Sequence, residues 1–175
     1  MYIIVGLGNP GAKYKDTRHN TGRMSEGYIL KSHEVGAKFV DLDTFMNKSG
    51  SGVAKVVKSK SAAEKLIVIY DDLDLPLGTL KVSYNRSSGG HKGVESIIRA
   101  LKTEAFIRIR IGISPTTPSG KLKKPKGEVA VEKHILGQFK TSELEILKKV
   151  FKKANDAARV IVEEGLVRAM TEFNA

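Results

Sequence analysis

Asn9, His19, Asn47 and Asp71 are the side chains of this sequence whose types could act together on a carbonyl. Each sits in a short polar motif: Gly6-Leu7-Gly8-Asn9-Pro10-Gly11, Thr17-Arg18-His19-Asn20, Thr44-Phe45-Met46-Asn47 and Tyr70-Asp71-Asp72-Leu73-Asp74-Leu75-Pro76. An imidazole with an ordinary pKa near 6.5 suits proton transfer at neutral pH. Primary amides are neutral N–H donors, able to stabilise negative charge as it develops on an attacked carbonyl oxygen. Each residue also has a plainer reading. A lone histidine is more often structural, asparagine is a common turn residue, and Asp71, Asp72 and Asp74 would serve as a polar turn or a divalent-metal site.

Other chemistries find less support. The four histidines, His19, His33, His91 and His134, contain no pair at metal-ligand spacing, so no metal is expected. Gly6-x-Gly8-x-x-Gly11 has the form of a dinucleotide fingerprint, which requires an apolar helix directly after it. Ala12 to His19 carry no apolar face, so a nicotinamide-dependent oxidoreductase is disfavoured and no cofactor is expected. The glycines are better read as permitting a sharp turn that exposes Asn9. Gly-x-Ser-x-Gly, Ser-x-x-Lys and a Walker loop are missing, and without cysteine there is no thiol chemistry and no disulfide.

These residues need a scaffold, and strands alternating with helices supply one. Tyr2 to Val5 and Leu66 to Tyr70 are apolar runs expected of buried strands. Thr79 to Ser83 reads as a third strand. Phe106 to Ile113 alternates, with Ile107, Ile109, Ile111 and Ile113 on one face and Arg108 and Arg110 on the other. Asp71 then ends a buried strand, where α/β sheets place ligands. Helices are predicted over Ser49 to Lys58, Gly93 to Lys102 and, most clearly, about 142–164, where Ser142 and Glu145 form a capping box and Gly165 a stop. A short turn of helix is expected to follow to Phe173. Residues 114–127 form a flexible basic loop with Lys121, Lys123, Lys124 and Lys126. The pattern predicts one domain over 1–175: a three-layer α/β/α sandwich with a mixed, mostly parallel twisted sheet.

Composition agrees with a globular chain. A length of 175 residues supports one core, and 41% hydrophobic residues is ordinary for a soluble domain. No apolar run reaches the ~18 residues of a membrane helix, and the N-terminus lacks a signal-peptide layout, so a cytoplasmic protein is expected. A net charge of +11 draws phosphate by counterion release, while 6% aromatics argues against base stacking as the main mode of contact.

Read in order, the four motifs resemble those of bacterial-type peptidyl-tRNA hydrolase, a family that cleaves the ester between a peptide and the terminal ribose of tRNA. The resemblance runs from Met1 to about Phe173. It implies that His19 is the general base activating water, that Asp71 orients it, and that Asn9 and Asn47 bind or polarise the carbonyl. It implies that Tyr14, Phe45, Met46 and Asn47 line the substrate groove, that Ser88-Gly89-Gly90-His91-Lys92-Gly93 meets the acceptor end, and that Lys81 and Arg110 grip the 5′ phosphate of the tRNA. Lys92 stands where the family usually has asparagine. A non-catalytic RNA-binding member of the same family is the rival reading.

One segment departs from the pattern. Arg23 to Thr44 is only 22 residues, where the family fits a helix and two strands. A typical helix of about 11 residues, two strands of about 5 and their connections need more. Gly27 to Leu30 and Lys38 to Leu42 are expected to pair as a hairpin, and the helix after His19 to be missing, since Arg23-Met24-Ser25-Glu26 offers no apolar stripe. One sheet face would then be partly uncovered. A monomer is expected, with self-association possible through that face.

Overall fold

The computed structural model describes residues 1–175. Five strands form one sheet in the order β2-β1-β3-β5-β4. They are β1 (Ile3–Gly6), β2 (Lys38–Phe39), β3 (Leu66–Pro76), β4 (Leu80–Tyr84) and β5 (Ile107–Ser114). All neighbours are parallel except β4, which runs antiparallel to β5. Seven α-helices accompany them: α1 (Thr21–Ser32), α2 (Ser49–Ala54), α3 (Lys60–Ala63), α4 (Lys92–Leu101), α5 (Glu128–Ile135), α6 (Thr141–Glu164) and α7 (Leu166–Phe173).

The sheet is buried on both faces, which is why its central strands read as apolar runs. One face carries Ile4, Ile67, Ile69, Ile107, Ile109 and Ile111 and packs on α1, α6 and α7 through Ile29, Leu147, Ala154, Ala158, Ile161 and Phe173. The other carries Val5, Leu66, Val68 and Tyr70 and packs on α2 and α4 through Val53, Val94 and Ile97. The three-layer architecture and mostly parallel sheet expected from the sequence are therefore present.

The missing helix is not missing. α1 runs directly from the His19 turn for 12 residues, and its buried positions are Thr21, Gly22, Ser25, Glu26 and Ile29. It packs by closeness instead of by an apolar stripe. A side chain on Gly22 would collide with the Ile69 carbonyl, and one on Gly6 with the Gly22 carbonyl. Bare backbone lies against bare backbone, an arrangement that hydrophobic periodicity does not register. The expected hairpin does not form. Gly27 to Leu30 lies inside α1, and Lys38–Phe39 pairs parallel to β1, Ile3 with Lys38 and Ile4 with Phe39. The short segment thus retains the helix and reduces its sheet contribution to two residues. With α1 packed on the sheet, the partly uncovered face is not there, and the ground for self-association through it is removed.

Smaller differences follow from local chemistry. β3 continues through the acidic run to Pro76, with an irregular register between Asp72 and Pro76, so Asp71 lies within the strand instead of at its end. α2 stops at Ala54, and α3 and α5 have no counterpart in the sequence reading. α6 begins at Thr141 because the Glu143 carboxylate accepts the Lys140 N–H at 2.8 Å; Ser142 and Glu145 do not cap it. Gly165, at φ 96°, ends it as expected.

Candidate active site

β1 ends at Gly6 and releases the chain into the turn carrying Asn9. A reciprocal clamp fixes that turn: the Asn9 N–H donates to Asn20 Oδ1 at 2.8 Å, and Asn20 Nδ2 donates to the Asn9 carbonyl at 2.9 Å. The Asn9 amide is oriented by a third bond. Its Oδ1 accepts the Met46 N–H at 2.8 Å. A backbone N–H can only donate, so the oxygen must face Met46 and the Nδ2 donors are left for the groove.

His19 lies in a single turn between Thr17 and α1. The turn is held from both sides. The Arg18 N–H donates to the Gly137 carbonyl at 3.0 Å, and the Arg18 guanidinium reaches the His134 carbonyl at 3.2 Å and Glu143 at 3.3 Å. On the other side the turn runs into α1. The loop is therefore anchored on both sides, by Arg18 and by α1.

His19 Nδ1 is 2.8 Å from Asp71 Oδ2, and both residues are buried. The second Asp71 oxygen is 2.9 Å from His91 Nε2. His91 Nδ1 accepts the Val94 N–H at 3.3 Å, capping α4. That bond fixes the His91 tautomer: Nδ1 is the acceptor, so Nε2 carries the proton given to Asp71. One carboxylate thus receives two imidazole N–H groups, and the two rings sit 4.9 Å apart.

Electrostatics follow from the contacts. Burial alone would hold the His19 imidazole down, but the charge of Asp71 and its hydrogen bond outweigh it and raise the ring above 6.5. Burial would raise the Asp71 carboxyl, but His19 and His91 pull it far below the ordinary carboxylate range. Asp71 stays ionised across any working pH. Facing atoms of His19, Asp71 and His91 lie within 4.8 Å, the one cluster able to converge on a metal. The His19–Asp71 and His91–Asp71 separations are hydrogen-bond lengths with a proton in each gap.

Several sequence-predicted residues gather here. Asn9, His19, Phe45, Met46, Asn47 and Lys92 line one open groove. Met46 is buried and its sulfur presses toward Gly93. Asn47 is exposed on the rim. Tyr14 meets Phe45 edge to face at 6.4 Å beside it. His91 belongs more deeply than expected, since it touches Asp71 directly. Lys92 is exposed at the mouth.

The two residues expected to grip phosphate differ in their surroundings. Lys81 and Arg110 face each other across β4 and β5, and Lys81 is exposed. Arg110 is turned inward: Nη1 meets Asp72 Oδ2 at 2.8 Å, and Nε donates to Ser83 Oγ at 2.9 Å. Sequence reasoning passed over Asn20 and Ser83, and it read Asp72 only as part of a polar turn or a divalent-metal site. Asn20 was legible only as part of the His19 motif, and the partners of Arg110 carried no signal of their own.

The class the fold and site define is a single-domain three-layer α/β protein whose groove holds an imidazole bonded to a buried carboxylate beside an oriented amide. The sequence model described as peptidyl-tRNA hydrolase matches residues 3–175, and the chain belongs to that family. Its relatives include the peptidyl-tRNA hydrolase of Hydrogenobaculum sp. (strain Y04AAS1), 40% identical with 98% of this chain and 96% of that protein covered. That of Thermodesulfovibrio yellowstonii is 38% identical, with 99% of each covered. The latter alignment runs over 195 positions, longer than this 175-residue chain, so residues are missing on this side. The crystal structure of peptidyl-tRNA hydrolase from Acinetobacter baumannii superposes with a TM-score of 0.86 at 26% identity, covering 100% of this chain and 95% of that one.

Proposed function

We propose that the chain hydrolyses the ester between peptide and tRNA, with His19 as the general base. The observation that carries this reading is the buried 2.8 Å His19–Asp71 pair opening on the groove lined by Asn9. His19 takes a proton from water through Nε2, the nitrogen not engaged by Asp71. The oxygen of that water bonds to the ester carbon, and charge moves onto the carbonyl oxygen. The free Nδ2 of Asn9 and the amide of Asn47 stabilise it. Collapse breaks the bond to the ribose oxygen, which leaves with the proton held by His19. The products are a peptide carboxylate and free tRNA. Asp71 stabilises the imidazolium between the two proton transfers without taking the proton, and no metal or cofactor enters.

Substrate binding falls to the groove and its rim. Tyr14, Phe45 and Met46 border the reacting carbonyl, and His91 and Lys92 border the acceptor end. Lys81 takes the 5′ phosphate as an exposed point charge, and Arg110 supports it from behind while bound to Asp72. The site is complete within one chain, which supports a monomer as the active unit. No helix is long and apolar enough to cross a membrane, and we place the activity with its substrate, in the cytoplasm. The test is release of free tRNA from N-blocked aminoacyl-tRNA. Turnover supports the reading; tRNA bound but not cleaved would assign the chain to RNA binding instead.

A further inference from the structure

Arg108 is fully buried, yet it meets no carboxylate. Burying a cation is expensive unless its donors are used. Its terminal amino groups go to backbone carbonyls: Nη1 to Ser87 at 3.2 Å, and Nη2 to Arg86 and to Glu104, the latter at 3.2 Å, while Nε is buried without a partner. The guanidinium lies over the Phe106 ring at 4.2 Å. Tyr70 stands on the neighbouring strand β3.

The loop it holds has little shape of its own. Asn85, Gly89 and Gly90 are all left-handed, at φ 50°, 60° and 86°. Three such residues in six leave many backbone alternatives open. The loop delivers His91, whose ring must meet Asp71 on one side and the Val94 N–H on the other. Tyr70 stands edge-on to that ring at 4.9 Å and 62°. Arg108 therefore holds the loop that delivers His91 through two of its carbonyls, beside the strand that carries Tyr70.

We infer that Arg108 is a positioning residue for the hydrolysis: from inside the sheet it fixes the Arg86–Ser87 carbonyls and thereby sets His91 against Asp71. This rests on the ester-hydrolysis reading for its kinetic consequence, but its structural consequence can be read without turnover. Lysine keeps the charge but ends in a single nitrogen, without the planar fork whose two Nη atoms reach the loop carbonyls and Glu104 from separate positions. In Arg108→Lys the loop should relax and the His91 Nε2–H to Asp71 bond should be lost.

The experiment compares wild type, Arg108→Lys, His91→Ala and the double variant. NMR follows the imidazole N–H proton of His91, which persists against exchange only while hydrogen-bonded. Kinetics follow kcat and KM for N-blocked aminoacyl-tRNA. In Arg108→Lys the His91 N–H signal should vanish, and kcat should fall roughly tenfold or more with KM little changed, as for loss of a group that aligns reacting atoms. In a His91→Ala background Arg108→Lys should have little further effect on kcat, since coupled residues are non-additive. A retained His91 N–H signal with unchanged kcat and a lowered Tm would overturn the inference, leaving Arg108 a support of the fold alone. If Arg108→Lys does not fold, backbone relaxation of the wild type decides: Ser87 to His91 should be as rigid as the sheet, with order parameters near ~0.85, and a mobile loop below ~0.6 would overturn it. Absence of turnover in wild type would refute the hydrolysis reading, while the N–H signal would still decide the role of Arg108.

Discussion

Two influences oppose each other at the His19 ring. Burial disfavours its charged form, and the Asp71 carboxylate favours it more strongly, so the ring titrates above 6.5. The base is active only when unprotonated, so kcat/KM should climb as pH rises through that raised value. Asp71→Asn removes the charge that raises it. The acid limb of the pH–rate profile should then move to lower pH while the plateau falls, because the imidazolium formed during attack has lost its counter-charge. Steady-state kinetics across pH check both; an unmoved limb would separate Asp71 from the base. The types and motifs of Asn9, His19 and Asp71 were legible in sequence because their chemistry is local. The bond from His91 to Asp71 was not, since it depends on the path of a loop with three left-handed positions.

At the scale of elements, α1 shows where periodicity misleads. Its inner face is Gly22, Ser25, Glu26 and Ile29, so no stripe marks it, and its fit depends on glycine backbones in contact. Gly22→Ala should press a methyl group into the Ile69 carbonyl and cost about 1–3 kcal/mol, with a loss of turnover because His19 enters α1 directly. Denaturant unfolding and kinetics measure the two effects. By contrast β3, β5 and α6 were readable, since buried strands and a long amphipathic helix write their environment into apolar spacing. Glu26 adds a pH dependence to α1. Burial pushes its carboxyl up to about 8; Asp41 adds to the rise, and the Gly6 backbone and Arg23 partly offset it. Its folded value is thus above its unfolded value. The favourable contribution is complete below 4.5 and is lost as pH rises through about 8, at about 1.4 kcal/mol per unit. Glu26→Gln should flatten that decline. Unfolding curves at about pH 5 and about pH 8 test it, and equal slopes for both proteins would refute the assignment.

Over the whole molecule, charge governs how substrate arrives. A net charge of +11 predicts that tRNA affinity falls steeply with salt. The cations are not equivalent. Lys81 and Lys92 are exposed, whereas Arg110 is buried against Asp72. Lys81→Ala and Lys92→Asn should each lower the slope of log affinity against log salt by about 1. Arg110→Ala should leave that slope nearly unchanged and lower turnover, because it frees Asp72 beside Asp71. Binding titrations over a salt series distinguish these outcomes. The most direct measurement of the central claim is the initial rate of tRNA release from N-blocked aminoacyl-tRNA by wild type and His19→Ala at equal folded concentration. The account predicts a loss of about 10²- to 10⁴-fold for the variant with tRNA binding retained. Equal rates for the two proteins would contradict it.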